Sequence, residues 1–170
     1  MTQELIDLRN SILAGRYTDA LAIVDELEGM SKKAILRQIK SFLKILLIHL
    51  IKNQIEQRLT NSWAASIRNA ILEIQEVNLK DNQKSHYINE DEWQPYLEDE
   101  LTLAIADASL EVLHGTLKRK QISQMLNKSQ LILNATELLG MTYNYTNREL
   151  PDVIDDYFAQ LPGGEDWLDS

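Results

Sequence analysis

The stretch Ser31-Lys-Lys-Ala-Ile35-Leu-Arg-Gln-Ile-Lys40-Ser-Phe-Leu-Lys-Ile45-Leu-Leu-Ile-His-Leu50-Ile-Lys-Asn-Gln-Ile-Glu-Gln57 decides the fold. Ile35, Ile39, Phe42, Leu46 and Leu50 recur at the period of one helix face. Leu43, Ile45, Leu47, Ile48 and Ile51 add apolar residues on the other faces of the same segment. A helix apolar nearly all round must be covered nearly all round. Ser31 is a good cap, and a helix over 32–57 would be about 39 Å long. The expectation is an all-α, compact bundle of about six helices around this long central helix, roughly 32–57.

Working outward, Leu5, Leu8 and Ile12 form a stripe that Gly15 stops. Thr18 can cap a short helix through Leu21, Val24 and Leu27, stopped by Gly29. On the other side, Asn61 or Ser62 opens a helix with Trp63, Ile67, Ile71 and Ile74, which fades at Asn78. Residues 79–94 are polar and read as a linker and candidate sub-boundary. Pro95 suits a helix start, and Leu97, Leu101, Ala104, Ala108 and Val112 carry a stripe to Gly115. Ile122, Met125, Leu126, Ile132, Leu133 and Leu139 follow, with a break near Asn127–Ser129 and a stop at Gly140. Pro151 opens a last short helix with Val153, Ile154, Tyr157 and Phe158. Pro162-Gly163-Gly164 ends it. The reading is one helical domain over 1–162 and a flexible acidic tail over 163–170.

Composition excludes several functions. The 170 residues are 44% hydrophobic with six Gly and three Pro, too few turn residues for a β-rich fold. The absence of Cys excludes disulfides, thiol catalysis and thiolate metal sites. Met1-Thr-Gln-Glu4 opens an acidic N-terminus without an apolar core, which does not read as a signal peptide. Phe42–Ile51 is half the length of a membrane span. The expected location is cytoplasmic, with no membrane partner.

The net charge is -9, yet residues 31–68 hold eight Lys/Arg against Glu56 alone. Lys32, Lys33, Arg37, Lys40 and Lys44 form a candidate basic patch for nucleic acid or another anionic ligand. The competing reading pairs these cations with acids on neighbouring helices, around Glu98-Asp99-Glu100 or Asp152, Asp155 and Asp156. The overall acidity and the lack of interleaved aromatics favour this second reading and disfavour nucleic acid as a partner.

Chemistry is sparse. His49 sits in the apolar run and reads as a packing histidine. His86 lies in the polar linker and reads as solvated. Asp107, Glu111 and His114 would share one side of a helix continuing to Gly115. Their Glu-x-x-His element resembles half of a helical di-iron site. It occurs once, so these three are candidates for a metal or enzymatic site only in third place. No Gly-x-Ser-x-Gly elbow, P-loop or dinucleotide motif is present. The expectation is no enzyme, no catalytic residue, no metal and no cofactor. Trp63 reads as a core anchor, and Arg68 is placed to reach an acid on a neighbouring helix.

Three blocks carry a resemblance: Asp25-Glu-Leu-Glu-Gly-Met30-Ser31, Leu46-Leu-Ile-His-Leu-Ile-Lys52 and Ser62-Trp-Ala-Ala-Ser-Ile-Arg68. In order and spacing they resemble the family catalogued as domain of unknown function 29, over roughly residues 3–79. Asn53 stands where that family often has Trp, and the C-terminal half departs from its usual pattern. The resemblance implies an all-helical, bacterial and largely cyanobacterial cytosolic protein. It implies no activity.

The functional expectation is a non-enzymatic helical protein that binds another protein or acts as a scaffold. The runner-up is the anion binder through segment 31–68. The apolar circumference of Phe42–Ile51 also favours a homodimer slightly, with Leu47 or Ile48 in its interface.

Overall fold

Helix starts follow local side-chain chemistry. Thr60 Oγ1 accepts the Trp63 amide at 3.1 Å, and Asn127 Oδ1 accepts that of Gln130 at 3.1 Å. Pro151 lies in the first turn of the last helix, where its missing N–H costs nothing. The computed structural model describes residues 2–167. Within them lie α1 (Gln3–Leu13), α2 (Tyr17–Glu56), α3 (Asn61–Asn78), α4 (Trp93–Ala108), α5 (Arg119–Met125), α6 (Lys128–Asn144) and α7 (Leu150–Phe158). A 3-10 turn, Val112–Gly115, stands between α4 and α5, and the described residues include no strand beyond one isolated bridge between Leu79 and His86. The fold is all-α.

Two expected stops do not operate. Gly29 lies inside α2, so the short helix and the central helix are one element of 40 residues. A single Gly costs a helix only ~1 kcal/mol relative to Ala, less than the good helix formers on both sides supply. Gly140 likewise lies inside α6, which runs on to Asn144. Gly15 does stop α1, at a φ of +73° that a side chain would resist.

The chain divides into two compact units, Met1–Gln38 and Ile39–Ser170. The expected sub-boundary at 79–94 falls inside the second. In that unit the core stretch of α2 buries Ile39, Leu43, Leu46, Leu47, Leu50 and Ile51. Around it α6 packs on α3, α4 and α7, α3 packs on α7, and α4 on α5. Ile67, Ile71 and Ile74 of α3, Leu97 and Leu101 of α4, Leu138 and Leu139 of α6, and Ile154 and Phe158 of α7 complete the core.

Two polar pins hold the irregular segments. Asn78, buried at the end of α3, accepts the Ile88 amide at 2.8 Å and donates to the Ile88 carbonyl at 2.9 Å. Its amide also donates to the Tyr143 hydroxyl at 3.1 Å, which takes Trp93 Nε1 at 2.8 Å and itself donates to the Ile88 carbonyl at 2.6 Å. The linker is thereby locked to the core. Burial pushes the Tyr143 hydroxyl up to about 12, against the smaller opposing effect of its two donors. His86 is half-buried, its ring edge-on to Tyr143 at 4.7 Å, so it is not the solvated side chain expected of a polar linker.

The second pin is Asn53, buried, whose amide donates to the carbonyls of Arg58 at 3.0 Å and Pro162 at 2.7 Å. Gly163 passes so close that a Cβ there would stand 2.5 Å from Arg58 Cα. The Trp167 ring lies edge-on to Phe158 at 5.3 Å. Leu168, which the sequence reading placed in the tail, lies outside the described residues.

Candidate functional site

Near the end of α2, Lys52 of the second sequence block stands by Trp63 of the third, with His49 beside Lys52. His49 is half-buried and its Nδ1–H donates to the Ile45 carbonyl at 2.8 Å, which leaves the lone pair on Nε2. Burial holds its pKa below the ordinary value, and Lys52 pushes in the same direction. Lys52 is 8% exposed, pairs with Glu111 at 3.1 Å and lies 5.8 Å from the centre of the Trp63 ring. The Arg58 guanidinium stands 4.8 Å from the same ring, a cation–π distance. Trp63 is half-buried, a rim residue gripped by two cations and not the fully buried anchor expected.

Glu56 ties this corner together. Its Oε1 accepts both Arg58 Nε at 3.1 Å and Nη2 at 3.0 Å, and its Oε2 accepts the Leu113 amide at 3.3 Å. Leu113 and His114 both hold left-handed conformations, φ 47° and 60°. Consecutive left-handed non-glycine residues cost roughly 1–2 kcal/mol each, and the bond from the Leu113 amide to Glu56 offsets part of that strain. Acids and bases here are held by opposite charges or backbone, which makes the cluster a brace for the 3-10 turn.

The proposed metal constellation does not form. Ser109 Oγ donates to the Ala106 carbonyl at 2.7 Å, and the Leu110 and Glu111 amides make three-residue bonds back to Asp107 and Ala108. These tighten and end α4 at Ala108, so the seven-residue spacing from Asp107 to His114 no longer spans one helix face. Asp107 instead pairs with Lys44 at 3.1 Å, Glu111 with Lys52, and His114 is exposed. Among the described residues no group of three or more His, Asp or Glu side chains is arranged to hold a metal ion.

The basic residues divide between the units. Lys32, Lys33 and Arg37 are exposed in the first. In the second, Lys40 is exposed with its Nζ 6.0 Å from the Tyr96 ring, and Lys44, Lys52, Arg58 and Arg68 pair with Asp107, Glu111, Glu56 and Asp155. Glu100, nine-tenths buried, faces Lys40 and Lys44; burial raises its pKa and the two cations oppose that. A cavity of about 530 Å³ beside Asn53 is lined by Gln and Asn side chains. Asn53, Gln54, Gln130 and Asn134 in it bond to backbone, to one another or, for Asn134, to the Tyr157 hydroxyl as acceptor, which assigns them to holding the fold. Leu47 is fully buried by the chain itself, a core position and not an open interface residue, while Ile48 is half-buried.

Large apolar side chains stand exposed in both units, Leu103, Leu110 and Leu133 among them in the second, and they are densest along the chain in the first. Leu13 is 75% exposed, Tyr17 66%, Leu21 64%, and Leu5, Ile6, Ile12 and Met30 are exposed as well. Leu8, Ile23, Val24, Leu27, Ile35 and Leu36 are half-buried. Among its described residues the unit buries Ser11 and Ala20 and not one large apolar side chain. Sequence reading found these stripes and assigned them to packing. Their signal as a surface was the shortness of the segment: α1 is 11 residues, with little chain nearby to cover both stripes.

Among the described residues no helix is long and apolar enough to cross a membrane. Neither a curated protein nor a solved structure matches the chain. A family model, Domain of unknown function DUF29, matches residues 14–129, which extends the resemblance beyond α3 through α4 and α5. With the three sequence blocks inside that span and most of the chain covered by it, the protein belongs to the DUF29 family.

Proposed function

We propose that this protein is a non-enzymatic helical interaction module that engages a protein partner through its first unit, residues 3–37. The observation that carries this reading is the exposure of Leu5, Ile12, Leu13, Tyr17 and Leu21 on a unit with no large buried apolar side chain. Two helices of this size gain little stability from propensity alone, and tertiary packing of their apolar faces is what normally holds them. Exposed apolar side chains in this density on such a unit support an interaction role. The ion pairs of Lys44, Lys52, Arg58 and Arg68 weigh against the anion-binding alternative. The cytoplasm is the proposed compartment, on the cysteine-free composition.

Hydrogen exchange tests the reading. Amides of α1 and of residues 17–37 are expected to exchange fast in dilute purified protein and to gain at least tenfold protection when the labelled chain is placed in concentrated extract of its host. Leu21→Glu should abolish that gain. Equal exchange in both conditions would refute an interaction role for this surface.

A further inference from the structure

We propose that the second unit binds a small organic cation, an ammonium group on a short apolar stem, in the cleft where α3 and α6 end. This site is separate from the surface of the first unit and does not depend on that reading.

The cleft has a volume of about 880 Å³, within the range of small-molecule sites. Leu72, Gln75, Glu76 and Leu79 fall at i, i+3, i+4 and i+7, so one face of α3 forms a wall. Lys84 and His86 of the linker and Tyr145, just beyond α6, form the other sides. The hydrogen bonds from Asn78 to Ile88 and to the Tyr143 hydroxyl hold α3, the linker and α6 together beside it.

Four polar side chains of this lining have capacity that the fold leaves unused. Gln75 Nε2 donates to the Thr142 carbonyl at 3.0 Å and to the Tyr145 carbonyl at 2.9 Å. Those two acceptors fix the orientation of the amide and leave its Oε1 without a donor. The side chains of Glu76, Lys84 and His86 make no hydrogen bond or ion pair among the described residues. Glu76 and Lys84 therefore line one cleft without pairing with each other. The cavity beside Asn53 differs, because its amides are engaged by the fold.

Charge selects the ligand. Both α3 and α6 end at the cleft, and neither has a basic side chain in its last turn. Each helix C-terminus carries roughly half a negative charge, and the Glu76 carboxylate adds a full one. Against these the lining sets one permanent cation, Lys84. An ammonium gains from this field and has three N–H groups to offer to Gln75 Oε1 and Glu76, whereas an anion would face both. Leu72 and Leu79 suit an apolar stem, and a Tyr ring nearby suits a cation.

Titration of the full chain with n-butylammonium chloride, followed by proton–nitrogen NMR, is the test. Amide shifts are expected at residues 75–79, 84–86 and 142–147, saturating with a dissociation constant on the order of 1 mM. n-Butanol and sodium butyrate should bind at least ~10-fold more weakly. Glu76→Gln, on an exposed side chain, should keep the circular dichroism spectrum and weaken butylammonium by about tenfold. Lys84→Gln should act with the opposite sign and tighten it about threefold. Absence of saturating shifts at these residues up to about 50 mM overturns the site. Equal binding of n-butanol, or a Glu76→Gln variant that binds as the wild type does, overturns the choice of a cation. Nα-acetyl-lysine methylamide presents the same ammonium as the side chain of a protein would, and tighter binding of it than of n-butylammonium overturns a free small molecule as the source.

Discussion

Replacing Asn78 with Ala should cost the protein about 3 kcal/mol, and the figure follows from its partners. The side chain accepts the Ile88 amide and donates to the Ile88 carbonyl and the Tyr143 hydroxyl, all in a buried site. The Ile88 carbonyl keeps Tyr143 as a donor after the change, and Tyr143 keeps Trp93, so those two losses are ordinary hydrogen bonds worth ~1 kcal/mol each at most. The Ile88 amide is different. Ile88 is 1% exposed, and its N–H would be orphaned at a cost of roughly 1–3 kcal/mol. Tyr143→Phe should cost about 2 kcal/mol, chiefly by orphaning Trp93 Nε1. Because the residues share the Ile88 carbonyl, the double variant should deviate from additivity by at least ~0.5 kcal/mol. Urea denaturation with an unchanged slope measures all three, and the single Asn78 change should lower Tm by roughly 6–12 °C at this chain length. A loss under about 1 kcal/mol, or strict additivity, would refute the claim that this network locks the linker.

Leu47→Lys should unfold the chain or cost roughly 3–5 kcal/mol, since the position is fully buried, whereas Leu103→Lys, at a site 54% exposed, should change stability by less than ~0.5 kcal/mol; thermal melts of the pair compare them. Gly163→Ala should destabilise by more than ~2 kcal/mol, because its φ is +72° and its Cβ would meet Arg58 backbone, and urea midpoints read this directly. His49 has a folded pKa below its unfolded value, so the unfolded chain takes the proton first. The stability it gives is present above pH 6.5 and is lost as pH falls through the lowered folded value. His49→Gln should therefore flatten the stability curve in that window, measured by denaturant midpoints in steps of half a pH unit.

Helix identity was legible because apolar spacing and caps act locally. Pro151 and the break near Asn127 mark starts as read, whereas the helix read as opening at Asn61 or Ser62 is capped by Thr60 before it. Gly29 and Gly140 misled because a glycine ends a helix only where the backbone must leave it, and in α2 and α6 nothing demands that. The reach of α4 was overestimated for the opposite reason. Ala108 and Val112 continue the stripe and are both buried, yet the chain between them tightens and turns. That turn depends on Glu56, more than fifty residues earlier in the chain, so local spacing could not report it. Arg68 did reach an acid on a neighbouring helix, Asp155, because a basic residue beside an apolar stripe has few other ways to be satisfied. The open surface of the first unit was written in the sequence as stripes, but a stripe does not say who covers it.

The hydrogen bond from Asn53 to Pro162 joins residues 109 apart, and it sets the order in which the molecule can be finished during translation. The apolar length of α2 emerges from the ribosome long before α6 and α7, whose buried side chains complete the core. At roughly 5–20 residues per second, some 5–20 s separate the appearance of Asn53 from that of its partner. Through that interval Leu43, Leu46, Leu47 and Leu50 belong to a helix without a core, a natural substrate for chaperones that bind nascent apolar chain. The family match ends at residue 129, whereas the fold is closed only by the helices beyond it. A chain cut at that boundary would remain in the state the nascent chain passes through.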